Sequence, residues 1–296
     1  MRNVAFRVES DAVRGFYRFT GLRPSSRRYI SGDAFRGLTS HRYEGLNARK
    51  RFDPGAVRQG DCVFCEAGLL REFFSSAGGA IPGDFSLVSH NGDLTVNAEL
   101  AAQVPLRVTR WFAQNVAVRE PRIIPIPIGL ENRRLHTNGI IRDFDALQRE
   151  PGMRSKASRI FHGFTVGTNP AERGPCLEAL AKCSVAVQAE RMDSRTYRRV
   201  LAGFRFVASP PGNGEDCHRT WEAMYLRVVP IVKRSILTEF FFTLGLPMVL
   251  VDDWNELSVL TEAGLESTYT RLSGRFDHPA LRMDYWASRV LDRTDR

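Results

Sequence analysis

No stretch of this sequence approaches the roughly 18 consecutive apolar residues of a membrane-spanning helix. Its opening, MRNVAFRVESD, also lacks the apolar core of a secretory signal, so a soluble cytoplasmic protein is expected. Cysteine is sparse and odd in number: Cys62, Cys65, Cys176, Cys183 and Cys217 do not make a disulfide framework. Cys62 and Cys65 have a C-x-x-C spacing, but the intervening Val63 and Phe64 belong to an apolar run. On a strand, a separation of three residues puts the two thiols on opposite faces, which reads as buried small side chains and not as redox chemistry. Cys217-His218 has no second ligand pair at a zinc spacing. Zinc-finger spacing, RNA-binding aromatic signatures and a basic arm are all absent, so no nucleic-acid partner is expected. There is no G-x-x-x-x-G-K-[ST], and Gly212-x-Gly214-x-x-Cys217 lacks the third small residue of a dinucleotide fingerprint.

What is present is positive charge. The formal charge of +9 and pI near 9.7 come almost entirely from arginines scattered along the chain. They point to an anionic partner such as a nucleotide or an acidic lipid surface. At 296 residues with 43% hydrophobic composition the chain can fill two cores, and two domains of about 130 to 150 residues each are expected.

Short apolar runs alternate with amphipathic stretches throughout. RRYI (27–30), DCVFCEA (61–67), DFSLVSHNGD (84–93), LRVTRWFAQN (106–115) and PRIIPIPIGLEN (121–132) read as strands or strand exits in the first half. Residues 133–157 are polar and Arg-rich, a candidate hinge between domains 1–132 and 158–296. SRIFHGF (158–164), SVAVQ (184–188), FRFVAS (204–209), VVPIV (228–232) and LPMVLV (246–251) restart the alternation. Helices are expected from about Pro170 to Lys182, from about Asp193 to Ala202 and over ILTEFFFTL. This rhythm predicts α/β architecture with two parallel sheets, each covered by helices, in tandem around a central cleft.

The sharpest local signal is PPGNGEDCHRTWEAMYLRVVPIV (210–232), a Gly-rich loop leaving a strand and entering a helix. Glycines there let a ligand approach the backbone, and the helix's amides and dipole favour phosphate oxygens. Pro211, Gly212, Asn213 and Gly214 form the loop, and Asp216 is expected to cap the helix. Cys217, Trp221, Met224, Tyr225 and Val228 then share an apolar face, while His218, Arg219 and Glu222 lie together on a polar one. Arg219 supplies a bidentate donor for a diphosphate and Glu222 an acceptor for ribose hydroxyls.

The segment FVASPPGNGEDCHRTWEAMYLRVVPIV resembles the donor-site segment of exostosin-type glycosyltransferases. Their pattern is a Ser-Pro-x-Gly loop, an Arg, an acidic residue three positions later, a short helix and a P-I/V-V strand. YISGDAFR, HNGDL, WFAQN, IPIGLEN and TNPAERG are similar to the matching blocks of exostosin-like bacterial members. The resemblance implies two Rossmann-like domains of the GT-B type, with acceptor in the N-terminal domain and nucleotide sugar in the C-terminal one. It also implies that Arg219 contacts the diphosphate and Glu222 the ribose.

Further candidates sit at other strand ends. Thr168, Asn169 and Arg173 follow the first strand of the second half, where Asn169 also suits a helix cap before Pro170. His90 and Asp93 in SHNGDL are candidate bases for deprotonating an acceptor hydroxyl, although an Asn-Gly-Asp turn accounts for the same residues. Asp33 in SGD, with Gln114 and Asn115 in RWFAQN, is a candidate acceptor contact. Asp252-Asp253 suits a metal or a plain helix cap; no metal or other cofactor is expected, because arginines and a helix dipole can neutralise a leaving diphosphate. The expected activity is inverting, metal-independent transfer of a sugar from a nucleoside diphosphate sugar to a glycan or glycolipid, at or near an anionic membrane's inner face. A non-catalytic nucleotide- or glycan-binding protein and a fucosyltransferase-like enzyme using a GDP-sugar are the alternatives.

Overall fold

The computed structural model describes residues 2–150 and 155–291. It contains two five-stranded, wholly parallel sheets. The first holds β1 (His41–Tyr43), β2 (Cys62–Glu66), β3 (Phe85–His90), β4 (Val108–Ala113) and β5 (Ile123–Pro125), side by side in chain order. The second holds β6 (Ala157–His162), β7 (Ala186–Gln188), β8 (Phe204–Ala208), β9 (Val229–Lys233) and β10 (Val249–Val251), in the order β10-β9-β8-β6-β7. Here the direction of winding reverses between β6 and β8. Connections from those two strands depart to opposite sides and leave a crevice at their carboxyl ends, where open α/β sheets bind ligands. The first sheet has no such reversal.

Because side chains alternate across a strand, each sheet buries apolar residues on both faces. Val63 and Cys65 of β2 pack with Leu87 and Trp111 in one core, while Ile160, Phe206 and Val229 build a second one. Phe64, Val88 and Phe112 of the first sheet and Phe161 and Val207 of the second belong to a third cluster shared by both halves. Cys62 packs against this shared cluster and Cys65 against the other, so the two thiols do lie on opposite faces, and all five cysteines are free.

One local expectation is corrected, and two elements form where no apolar run marked them. RRYI forms no strand: Arg27 adopts φ +57°, and the Ile30 backbone is satisfied singly, its N–H by the Tyr225 hydroxyl at 3.1 Å and its carbonyl by the Leu130 N–H at 2.8 Å. The short β1 over HRY had no recognisable pattern. The polar stretch 133–157 contains the helix Ile141–Arg149, whose Ile141, Phe144 and Leu147 enter the shared core. Their spacing of three residues supplies an apolar stripe without any apolar run; residues 151–154 of this stretch lie outside the described residues. The helices Pro170–Lys182, Ser194–Leu201 and Ile236–Thr243 stand where expected. Among the described residues, no helix is long and apolar enough to cross a membrane.

Candidate functional site

The helix His218–Tyr225 begins at the carboxyl end of β8, directly after the Gly-rich loop. Its N-cap is Cys217, which makes no side-chain capping bond. Asp216 is therefore not the cap. One carboxylate oxygen accepts from the Cys217 N–H at 2.8 Å, while the other accepts from the Ile128 N–H at 2.9 Å and the Trp221 indole N–H at 2.8 Å. Ile128 belongs to the first half, so this carboxylate ties the loop to a segment 88 residues away. Burial pushes its pKa up to about 6, against the lowering effect of those three donors.

Asn115 reinforces the tie. Held at φ +56°, it accepts from the Asp216 N–H at 3.0 Å through its amide oxygen. A Cβ at position 214 would lie 2.4 Å from the Asn115 amide nitrogen, so glycine there allows the two segments to meet. His218 adds a bond from Nδ1 to the Gly129 carbonyl at 2.7 Å, as donor, and Asn213 donates to Asp93 at 3.2 Å.

The loop and helix separate two cavities, so the expected donor residues are not all brought together. A cavity of about 300 Å³ is lined by Asn169, Pro211, Gly212, Asn213 and Gly214, with Lys233 opposite. A second, of about 370 Å³, is lined by His218, Arg219 and Glu222 together with Tyr197, Arg198 and Asn138. Cys217 borders both.

The second cavity holds the chemically unusual groups. Glu222 is only 7% exposed, yet no hydrogen bond or ion pair holds its carboxylate among the described residues. The helix is buried from Thr220 to Tyr225, and its polar face forms a cavity wall. Burial raises the Glu222 pKa, opposed in part by His218, Arg198 and Arg219. Arg219 has no carboxylate partner among the described residues. It lies over the Phe164 ring at 5.7 Å, with Arg173 over the same ring at 5.9 Å. Burial works against the Arg219 charge, but Cys217, Tyr197 and Glu222 together raise its pKa. The Tyr197 hydroxyl is buried beside the Arg219 guanidinium without a well-aligned bond to it, and the Arg198 Nε is buried and unpartnered, although the Arg198 terminal nitrogens bond the Asn138 carbonyl at 3.2 Å and Asp143 at 2.5 Å. Each such group costs about 1–3 kcal/mol if nothing satisfies it. Together they fit a polar ligand with both acceptors and donors.

Asn169 caps Pro170–Lys182, accepting from the Glu172 N–H at 3.4 Å, and its amide donates to the Gly212 carbonyl at 2.9 Å. Arg173 is buried and bonds the carbonyls of Pro211 and Thr165, each at 2.8 Å, so it braces the loop from below. Burial and the neighbouring Arg219 lower its pKa. Thr168 is exposed beside them.

In the first half, His90 is buried and stacks on Phe35. Its Nδ1 accepts from the Asn91 N–H at 2.7 Å and its Nε2 donates to the Pro127 carbonyl at 3.1 Å. Burial pulls its pKa down to about 4, so the ring is neutral with both nitrogens engaged. Asp93, three residues on, is exposed at the boundary with the Gly-rich loop. Asp33 is buried and paired with Arg134 at 3.1 Å and Arg23 at 3.8 Å; burial raises its pKa and the arginines oppose that. Gln114 is buried with its side-chain oxygen unpartnered. Asp253 caps the helical turn Trp254–Val259 and Asp252 pairs with Arg234 at 2.5 Å. Among the described residues, no three His, Cys, Asp or Glu side chains gather as a metal site.

Tyr197, Arg198 and Asn138 carried no sequence signal. A buried arginine inside RTYRRV looks like any solvated helical arginine until its partners 55 and 60 residues away are known. The chain matches no protein-family model and no curated protein.

Proposed function

We propose that the chain is a glycosyltransferase that moves a sugar from a nucleoside diphosphate sugar to a glycan or glycolipid acceptor, with its two sheet-centred halves facing a GT-B-type cleft. The observation that carries this reading is the buried, unpartnered Glu222 carboxylate facing a cavity beside the unpaired Arg219, at the winding reversal of the second sheet. Glu222 accepts the ribose hydroxyls, and Arg219 with the start of helix His218–Tyr225 neutralises the diphosphate. Asp93 is the base. It removes the acceptor hydroxyl proton as that oxygen attacks the anomeric carbon from the face opposite the diphosphate. The bond from the anomeric carbon to the diphosphate oxygen breaks, its electron pair leaves on the diphosphate, and configuration inverts. His90 is passed over for this step because both of its nitrogens are occupied. Stabilising the leaving group with arginine and the helix dipole requires no metal.

Thermal unfolding with UDP, GDP, CMP or dTDP tests the reading. A nucleotide at a hundred times its dissociation constant stabilises the native state by about 2.7 kcal/mol. Stabilisation by one nucleotide, lost in both Arg219→Ala and Glu222→Ala, is the expected result. Preference for GDP over UDP would redirect the reading to a fucosyltransferase-like enzyme. No response to any nucleotide would refute it.

A further inference from the structure

Large apolar side chains are concentrated on the outside of the N-terminal helix, Arg2–Thr20. Phe19 is 93% exposed, Val8 63% and Phe16 55%; Leu22, just past the helix, is 54% exposed. At spacings of eight and eleven residues from Val8, Phe16 and Phe19 fall on its side of the helix, with the exposed Ala12 between them. Polar side chains hold the helix to the body. Ser10 is buried against His136, Arg14 donates to Thr137 at 3.3 Å, and Glu9 pairs with Arg142. None of these contacts uses the apolar stripe.

Beside the stripe lies a cavity of about 250 Å³ lined by Arg14, Tyr17, Arg18, Leu22, Arg23 and Arg134; Arg14 pairs with Asp11, and Arg23 and Arg134 pair with Asp33, which leaves Arg18 as the arginine open to an outside anion. Arg18 is exposed and forms no ion pair among the described residues. An apolar stripe bordered by arginines on a basic chain of net charge +9 is complementary to one chemistry, an acyl layer beneath anionic headgroups. A second copy of the chain would bring the same arginines toward each other.

We infer that the N-terminal helix docks the protein on an anionic bilayer surface, with Phe16, Phe19 and Leu22 entering the headgroup boundary and Arg18 engaging lipid phosphate. The inference is independent of the donor-site reading. It places the protein on the membrane face and suits a lipid-linked acceptor.

Sedimentation of the full chain with phosphatidylcholine vesicles, with and without phosphatidylserine, tests it. Binding is expected only with the anionic lipid. Phe16→Ser/Phe19→Ser is expected to weaken it by about tenfold or more, and Arg18→Gln by about fivefold, the worth of one basic side chain near an anionic surface. Because these residues are exposed, the variants should keep the wild-type melting temperature. Equal binding to neutral vesicles, no binding, or wild-type affinity in the Phe16→Ser/Phe19→Ser variant would overturn the inference. So would light scattering showing a dimer that this variant disrupts.

Discussion

Replacing Asp216 by asparagine should expose an acid sensitivity that the wild-type protein hides. Two buried groups titrate with opposite sign. Burial lowers the His90 pKa from 6.5 to about 4, so the unfolded chain binds more protons across that window. The contribution of His90 is therefore complete above pH 6.5 and is lost as pH falls through about 4. Burial raises the Asp216 pKa from 3.8 to about 6, so the folded chain binds more protons there. Its contribution is complete below pH 3.8 and is lost as pH rises through about 6. At about 1.4 kcal/mol per pKa unit, each window is worth about 3 kcal/mol, and the two largely offset each other in the wild type. Asp216→Asn leaves the histidine unopposed. Relative to wild type, which alone gains the Asp216 contribution over this range, its unfolding free energy should fall by about 3 kcal/mol between pH 6.5 and 4. His90→Asn should show the reverse, gaining about 3 kcal/mol on wild type over the same fall. Asparagine at 216 also sets an amide against one of the three donors, which costs about 1–3 kcal/mol but does so at every pH. Urea unfolding at several pH values gives the free energies, and subtraction of wild type cancels the groups that all three proteins share. A variant-minus-wild-type difference that stays constant with pH would refute the reasoning, because neither burial would then govern titration.

Three further substitutions test the frame of the site. Gly129→Ala should destabilise by more than about 2 kcal/mol in urea unfolding, since φ is +66° and the new Cβ would lie 2.3 Å from the Ile30 carbonyl oxygen. Asn169→Ala should cost about 1 kcal/mol through the lost cap and also release the Gly212 carbonyl, so that urea unfolding and nucleotide stabilisation should both decline. Gln114→Met should leave stability unchanged or raise it by about 1 kcal/mol, because it removes a buried oxygen that has no partner; a loss above about 2 kcal/mol in urea would show that the amide is held after all.

The elements most legible in the sequence were those whose cause is local. Asn169-Pro170 starts a helix because the asparagine caps it and the fixed proline φ suits the first turn, and that helix ends at Lys182 as expected. The alternation within CVFC sends Cys62 and Cys65 to different cores by strand periodicity alone. RRYI misled because its apolar pair is buried by contacts from Tyr225 and Leu130, which supply what a neighbouring strand would have given.

What the sequence by itself determined is the succession of parallel strands and helices and the Gly-rich turn that brings Arg219 and Glu222 onto a short helix. The tertiary structure alone decided what those groups face. Asp216 became a bridge between halves because the Ile128 N–H needed an acceptor, and His90 was sealed between Asn91 and Pro127. The expected donor residues were divided between two cavities, and Tyr197 and Arg198 joined Glu222 in one of them. Hydrogen-bond satisfaction and burial depend on partners tens of residues away, and no local pattern in the chain encodes which partner will arrive.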